Sequence, residues 1–165
     1  MISYSVGNGT HLPVLMRAME VSVGRVVEFG AGFFSTPYLH WKTYLQKRSL
    51  VTFENNLEFI KMFDRYQTDW HEVLPVTDWD AIDLSGEWSV ALIDHAPKER
   101  RIEEIKRLAN TCDYIVIHDT QGRRENVFHY RDTLATFKYR RDFTLVRPHT
   151  SIVSNLVNLE AINLW

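Results

Sequence analysis

Five carboxylates stand where apolar runs end: Glu28 after Val26 and Val27, Glu54 after Phe53, Asp78 after Val76, Asp94 after Ile93, and Asp119 after Ile117 and His118. Two of them sit beside a histidine, as Asp94-His95 and His118-Asp119. In an open parallel sheet, ligands bind beyond the carboxyl ends of the strands, so acids and imidazoles gathered on that rim can hold a polar ligand and manage a proton. One such acid alone reads as a cap or a solvated turn, whereas the set defines a candidate site.

The first of these ends continues as Glu28-Phe29-Gly30-Ala31-Gly32-Phe33-Phe34-Ser35-Thr36-Pro37. The apolar run predicts a buried strand, and Ser35-Thr36-Pro37 predicts a helix start with Pro at its first position. Glycines there permit a tight turn and close backbone approach, and a helix start offers free N–H groups to a ligand, which together make a nucleotide site. Dinucleotide sites place a third glycine where this chain has Ser35. The charge of Glu28 would sit badly beside a pyrophosphate and well beside a sulfonium or an ammonium. Glu54 lies 22 residues beyond Gly32, and a carboxylate at the end of a second strand can accept ribose hydroxyls in either ligand class.

The elements that must position these residues alternate along the chain, as expected for a parallel sheet covered by helices on both faces. Helical spacing predicts an opening helix over 11–23 and a second from Pro37 to about residue 47. A third carries Leu57, Ile60 and Phe63 behind an Asn55 or Asn56 cap, a fourth begins at Pro97, and a fifth spans 124–137. Strands are predicted at 25–29, 50–54, 72–76, 89–94 and 113–118, the fourth of them a continuous apolar run suited to the centre of a sheet. Residues 143–147 and 151–154 are separated by Pro148-His149-Thr150, too short for a crossover, and so predict an antiparallel hairpin.

The 165 residues fit a single domain, 1–165, with a full core. A formal net charge of -2 gives no general attraction to nucleic acid or an anionic membrane, so neither is an expected partner. The single cysteine, Cys112, excludes a disulfide framework and reads as a small buried residue. The N-terminus lacks the features of a secretion signal and no apolar run is long enough to span a bilayer, so a cytoplasmic location is expected. The apolar stretch 156–165 is expected to pack on the sheet or to form a subunit contact, which would give a homo-oligomer.

Taken with the opening helix and the terminal hairpin, Glu28-Phe29-Gly30-Ala31-Gly32, Glu54-Asn55, Asp78-Trp79, Asp94-His95 and Asp119 resemble the class I S-adenosylmethionine-dependent methyltransferases. The resemblance covers nearly the whole chain. It implies an α/β, three-layer, doubly wound, mostly parallel seven-stranded sheet in the order 3-2-1-4-5-7-6 with a C-terminal antiparallel hairpin. It also implies S-adenosylmethionine as cofactor, with Glu28, Gly30, Ala31, Gly32, Ser35 and Thr36 at its methionine end, Glu54 and Asn55 at the ribose, Asp78 and Trp79 at the adenine, and Asp94 near the transferred methyl.

Departures from the family narrow the acceptor. The Pro-Pro-Tyr signature of base amino methyltransferases is replaced by Asp94-His95-Ala96-Pro97, and Cys112 lacks the Pro-Cys context of cytosine C5 enzymes. By elimination, the expected acceptor is a hydroxyl of a sugar, glycan or other small polar metabolite. A hydroxyl needs a base or a metal, which makes Asp94, His95, His118 and Asp119 the catalytic candidates. Either His95 or His118 serves as base, or Asp94 and Asp119 bind a divalent ion, Mg rather than Zn, as in the metal-dependent O-methyltransferases the chain resembles. His11, His40, His71, His129 and His149 read as structural or surface residues, and the mixed cluster Lys98-Glu99-Arg100-Arg101 as a solvated helix face. The competing readings are an NAD-dependent oxidoreductase and a non-catalytic S-adenosylmethionine-binding or assembly module.

Overall fold

The computed structural model describes residues 5–122 and 128–163. Strands Val26–Phe29 (β1), Leu50–Glu54 (β2), His71–Pro75 (β3), Trp88–Ile93 (β4), Cys112–His118 (β5), Tyr139–Phe143 (β6) and Thr150–Ser154 (β7) form one sheet in the order β3-β2-β1-β4-β5-β7-β6. The first five are parallel, and β7 runs antiparallel to both β5 and β6. The expected order and terminal hairpin are therefore present.

Side chains alternate across the sheet and divide the core in two. Val26, Leu50, Val90, Leu92 and Val116 pack with Leu15 and Met19 of helix Leu12–Val21 (α1) and Leu39 of helix Ser35–Gln46 (α2). On the opposite face Val27, Phe29, Phe53, Ala91, Ile93 and Ile117 pack with Ile105 and Leu108, while helix Leu57–Phe63 (α3) sits at the β3 edge. Helices Arg101–Leu108 (α4) and Tyr130–Ala135 (α5) cover that second face. Because β1 and β4 are buried on both faces and sit at the middle of the sheet, Glu28 is carried into the interior, on the same face as Val26 and thus toward α2.

Three local expectations change. The second helix starts at Ser35, so Pro37 is its third residue rather than its first, still within the turn where the N–H has no helical acceptor. In the predicted helix over 124–137, residues 124–127 lie outside the described residues, and the helix observed is Tyr130–Ala135. The hairpin's first strand is Tyr139–Phe143, paired from Tyr139↔Ser154 to Phe143↔Thr150. That register buries Phe143 beside Ile152 and leaves Leu145 and Val146, which read as strand residues, exposed in the connection.

Residues 159–162 pack back on the sheet. Leu159 and Ile162 are each 2% exposed and join Val14 and Leu15 in the α1-side core, and Arg17 Nε donates to the carbonyl of Ala161 at 2.9 Å. No helix among the described residues is long and apolar enough to cross a membrane. Truncating Leu159 to Ala should cost about 2–4 kcal/mol of unfolding free energy, read as a lower urea midpoint at unchanged slope.

Candidate active site

The loop after β1 is held from within. Gly30 N donates to Phe53 O at 2.8 Å, Ala31 N to Glu54 Oε2 at 2.8 Å, and Gly32 N to Thr36 Oγ1 at 2.8 Å. Gly30 adopts φ +91°, and a Cβ on it would come within 2.8 Å of His95 Cα, so the close approach that requires glycine is to the end of β4. Beneath the loop Glu28 is 0% exposed, and its Oε2 accepts from the hydroxyls of Thr36 and Thr52, each at 2.8 Å. Its other oxygen has no hydrogen-bond partner. Burial pushes the Glu28 carboxyl up to about 7, against the pull of the nearby Ser35, Thr52 and Thr36 hydroxyls.

The network continues outward. Thr52 spends its one proton on Glu28, so it receives the Nε2–H of His71 at 2.9 Å. His71 Nδ1 then accepts from His40 Nδ1–H at 3.1 Å. Burial lowers His71 to about 3, with a smaller push from His40, so its ring is neutral at working pH. Histidines that read as merely structural thus tie the glycine loop to α2 and β3.

At the end of β2, where a ribose is expected, Glu54 Oε1 accepts from Asn55 N at 2.8 Å and Asn56 N at 2.7 Å while Oε2 holds Ala31. A carboxylate accepts about four hydrogen bonds, which leaves room for one ligand hydroxyl without releasing a backbone partner. Beside it, Asn55, Leu57, Ile60, Val76, Thr77 and Trp79 line a cleft of about 550 Å³. The Trp79 ring also packs on His95, with centroids 4.3 Å apart. Asp78 is exposed and does not line this cleft; its Oδ1 closes a turn by accepting from Asp80 N at 2.9 Å.

A second cleft, of about 600 Å³, opens beyond β4 and β5 and is lined by Asp94, Lys98, Arg101, His118, Asp119 and Arg147 among others. Asp94 Oδ2 lies 3.1 Å from His118 Nδ1, and Asp94 Oδ1 accepts from Arg101 at 2.8 Å. Burial alone would raise the Asp94 carboxyl, but the bond and charge of His118 and the Arg101 guanidinium outweigh it and hold it well below the usual carboxylate range. Asp119, in a left-handed conformation at φ 66°, pairs with Lys98 at 3.2 Å and lies 3.7 Å from Arg101.

The structure brings Asp94, His118 and Asp119 together and leaves His95 out. His95 is 2% exposed and lies 3.2 Å from Glu104, itself fully buried, beneath α4 and away from the cleft; the residue after a strand's last inward side chain points to the opposite layer. Mg does not fit the pair proposed for it, because the Asp94 and Asp119 carboxylates are already bridged by Arg101 and neutralised by Lys98. The residues missed by sequence reading are Arg101, taken for a solvated position and in fact 2% exposed, and Thr10 and His11, which precede α1. Only the contacts of Thr10 and His11 with His118, more than a hundred positions along the chain, mark those two.

No protein-family model matches the chain, and no curated protein sequence matches it. Solved structures do. The cofactor-bound protein Rv0187 from MTB aligns over 93% of this chain and 82% of its own length, with TM-score 0.66 and 21% identity. The N-terminal domain of human METTL16 in complex with SAH aligns over 95% of this chain and 73% of its own, with TM-score 0.64 and 11% identity. The same protein's catalytic domain bound to the MAT2A 3'UTR hairpin 1 gives 93%, 71%, 0.63 and 10%. The chain therefore has the class I methyltransferase fold, and identities this low carry the fold alone.

Glu28 yields a pH test. Its folded value of about 7 lies above the ordinary 4.5, so the folded state keeps a proton that the unfolded chain loses, and stability falls as pH rises through that window. Glu28→Gln should therefore raise unfolding free energy at pH 8 by up to about 3 kcal/mol while changing it little at pH 4. Urea unfolding at the two pH values reads the difference.

Proposed function

We propose that this chain is an S-adenosylmethionine-dependent methyltransferase directing its methyl group to a hydroxyl of a sugar, glycan or other small polar metabolite. The observation that carries the cofactor is the state of the glycine loop. Its Gly30, Ala31 and Gly32 N–H groups are all used inside the protein, two of them on networks ending at Glu54 and Glu28. A pyrophosphate would find none of these three donors free and two acids close by, which disfavours the NAD reading; a cationic ligand meets a favourable field.

S-adenosylmethionine supplies, when bound, a methyl on a positively charged sulfur, a carbon already activated for displacement. The donor set suits it: Glu54 for a ribose hydroxyl, the apolar walls of Leu57, Ile60, Val76 and Trp79 for adenine, and Glu28 as the charge beneath the loop. Transfer itself demands little covalent chemistry from the protein beyond alignment and removal of the acceptor's proton. Asp94 and His118, facing the second cleft, stand where that proton is lost. The cleft is polar, and two of its three lining cations, Lys98 and Arg101, are paired with Asp119 and Asp94, which suits a small polar acceptor better than a polyanion. Asp94-His95-Ala96-Pro97 in place of Pro-Pro-Tyr supports oxygen over a base nitrogen.

Calorimetry decides the cofactor: S-adenosylmethionine should bind and NAD should not, and the reverse would overturn the reading. Affinity for S-adenosylmethionine should rise between about pH 6 and pH 8 as Glu28 ionises, and Glu28→Gln should flatten that rise. With acceptors from metabolite and glycan extracts and labelled cofactor, His118→Ala should lower kcat by about 10²–10⁴ while cofactor Kd changes less than about threefold. Equal loss of cofactor binding would place His118 in the wrong cleft.

A further inference from the structure

His11, Asp94 and His118 each offer a ligand atom, and these atoms lie within 4.8 Å of one another. His11 is 1% exposed and neither of its ring nitrogens has a hydrogen-bond partner. Its ring meets that of His118 edge-on, with centroids 4.9 Å apart. A buried imidazole left unpaired on both sides is costly unless something else occupies the place of the missing partner.

Thr10 shows what that partner must be. Its hydroxyl lies 2.8 Å from Pro148 O, 3.1 Å from Gly7 O and 3.0 Å from His118 Nε2. It has one proton, and giving it to Pro148, the shortest of these contacts, leaves its oxygen to receive the Nε2–H of His118. His118 Nδ1 faces Asp94 Oδ2 at 3.1 Å, and the proton shared between them is the one a metal ion would replace. Nδ1 and that carboxylate oxygen converge on one point, with the unpaired His11 nitrogens alongside. Arg101 does not fill the gap, since its guanidinium takes the other Asp94 oxygen.

We propose that His11, Asp94 and His118 form a binding site for a divalent ion of the zinc or cobalt type, open to the second cleft. Two imidazoles and one carboxylate suit such borderline ions, whereas Mg demands oxygen ligands. Thr10 is the outer partner that holds His118 in the ligating tautomer. Three protein ligands leave a fourth position, and Asp94 and His118 both face the cleft. The role of the site rests on the methyltransferase reading: an acceptor hydroxyl in that position ionises more readily, its proton passing to water, and its oxygen pair bonds the methyl carbon as the carbon–sulfur bond breaks with its pair staying on sulfur.

The full chain, freed of metal with a chelator, is titrated with Co²⁺ and separately with Mg²⁺, followed by visible absorption and calorimetry. One Co²⁺ per chain with ligand-field bands, and no response to Mg²⁺, is the expected result. His11→Ala should weaken Co²⁺ binding at least about tenfold, and Thr10→Val, which keeps both rings in place, about 10–100-fold. Absence of bands in the wild type, or Co²⁺ binding unaltered in both variants, overturns the site. S-adenosylmethionine binding by the metal-free chain separates the two readings: cofactor binding without cobalt bands removes the metal site alone, and cobalt bands without cofactor binding remove only the methyltransferase reading.

Discussion

The rim of this sheet is organised by a loop whose Gly30, Ala31 and Gly32 backbone donors are satisfied internally. Gly30 N is tied to the end of β2, Ala31 N to Glu54, and Gly32 N through Thr36 to Glu28. The loop therefore offers a ligand negative field rather than free N–H groups. It is also fixed to its neighbour, because Gly30 lies against the backbone of His95 with no room for a Cβ. The glycine loop and the position of Asp94 are consequently one geometric unit, and a change that lifts the loop also moves Asp94.

Arg101 plays the corresponding part at the ends of β4 and β5. Its guanidinium donates to His95 O at 2.7 Å, to Asp94 O at 2.8 Å and to Asp94 Oδ1 at 2.8 Å, with His118 O at 3.4 Å. Its planar fork of donors is needed for this, and a lysine could reach only part of the set. The Asp94 carboxylate is held ionised in part by this cation, which also lies 3.7 Å from Asp119. That is why a pair which looked like a magnesium site from sequence is an ion-pair network in the fold.

What was legible in the sequence follows from what is local. Continuous apolar runs located the central strands, and the acids after them located the rim, since both signals lie within a few residues of each other. The hairpin was legible in kind but displaced, because Leu145 and Val146 match a strand by composition while burial of Phe143 decides the register. Arg101 sits in a charged run that looks solvated, and only the packing of α4 over β5 buries it. Thr10 and His11 gained meaning solely from the return of the chain at His118, 108 residues from Thr10. Helical spacing placed α1 but said nothing of what its first residues meet.

Glu28 shows how such a site can conflict with stability. An apolar residue at a fully buried strand position would satisfy the core, and an acid there is ionised only at a desolvation cost. The cost is moderated by the Thr36 and Thr52 hydroxyls, which place donors on one oxygen and leave the other unpartnered. With a carboxyl held near neutrality, the charge beneath the loop is not fixed: arrival of a cation above it favours release of the proton, and release of the proton strengthens the hold on the cation. Binding and ionisation are thus two sides of one linkage, and any gain in affinity is set against the burial of a bare carboxylate.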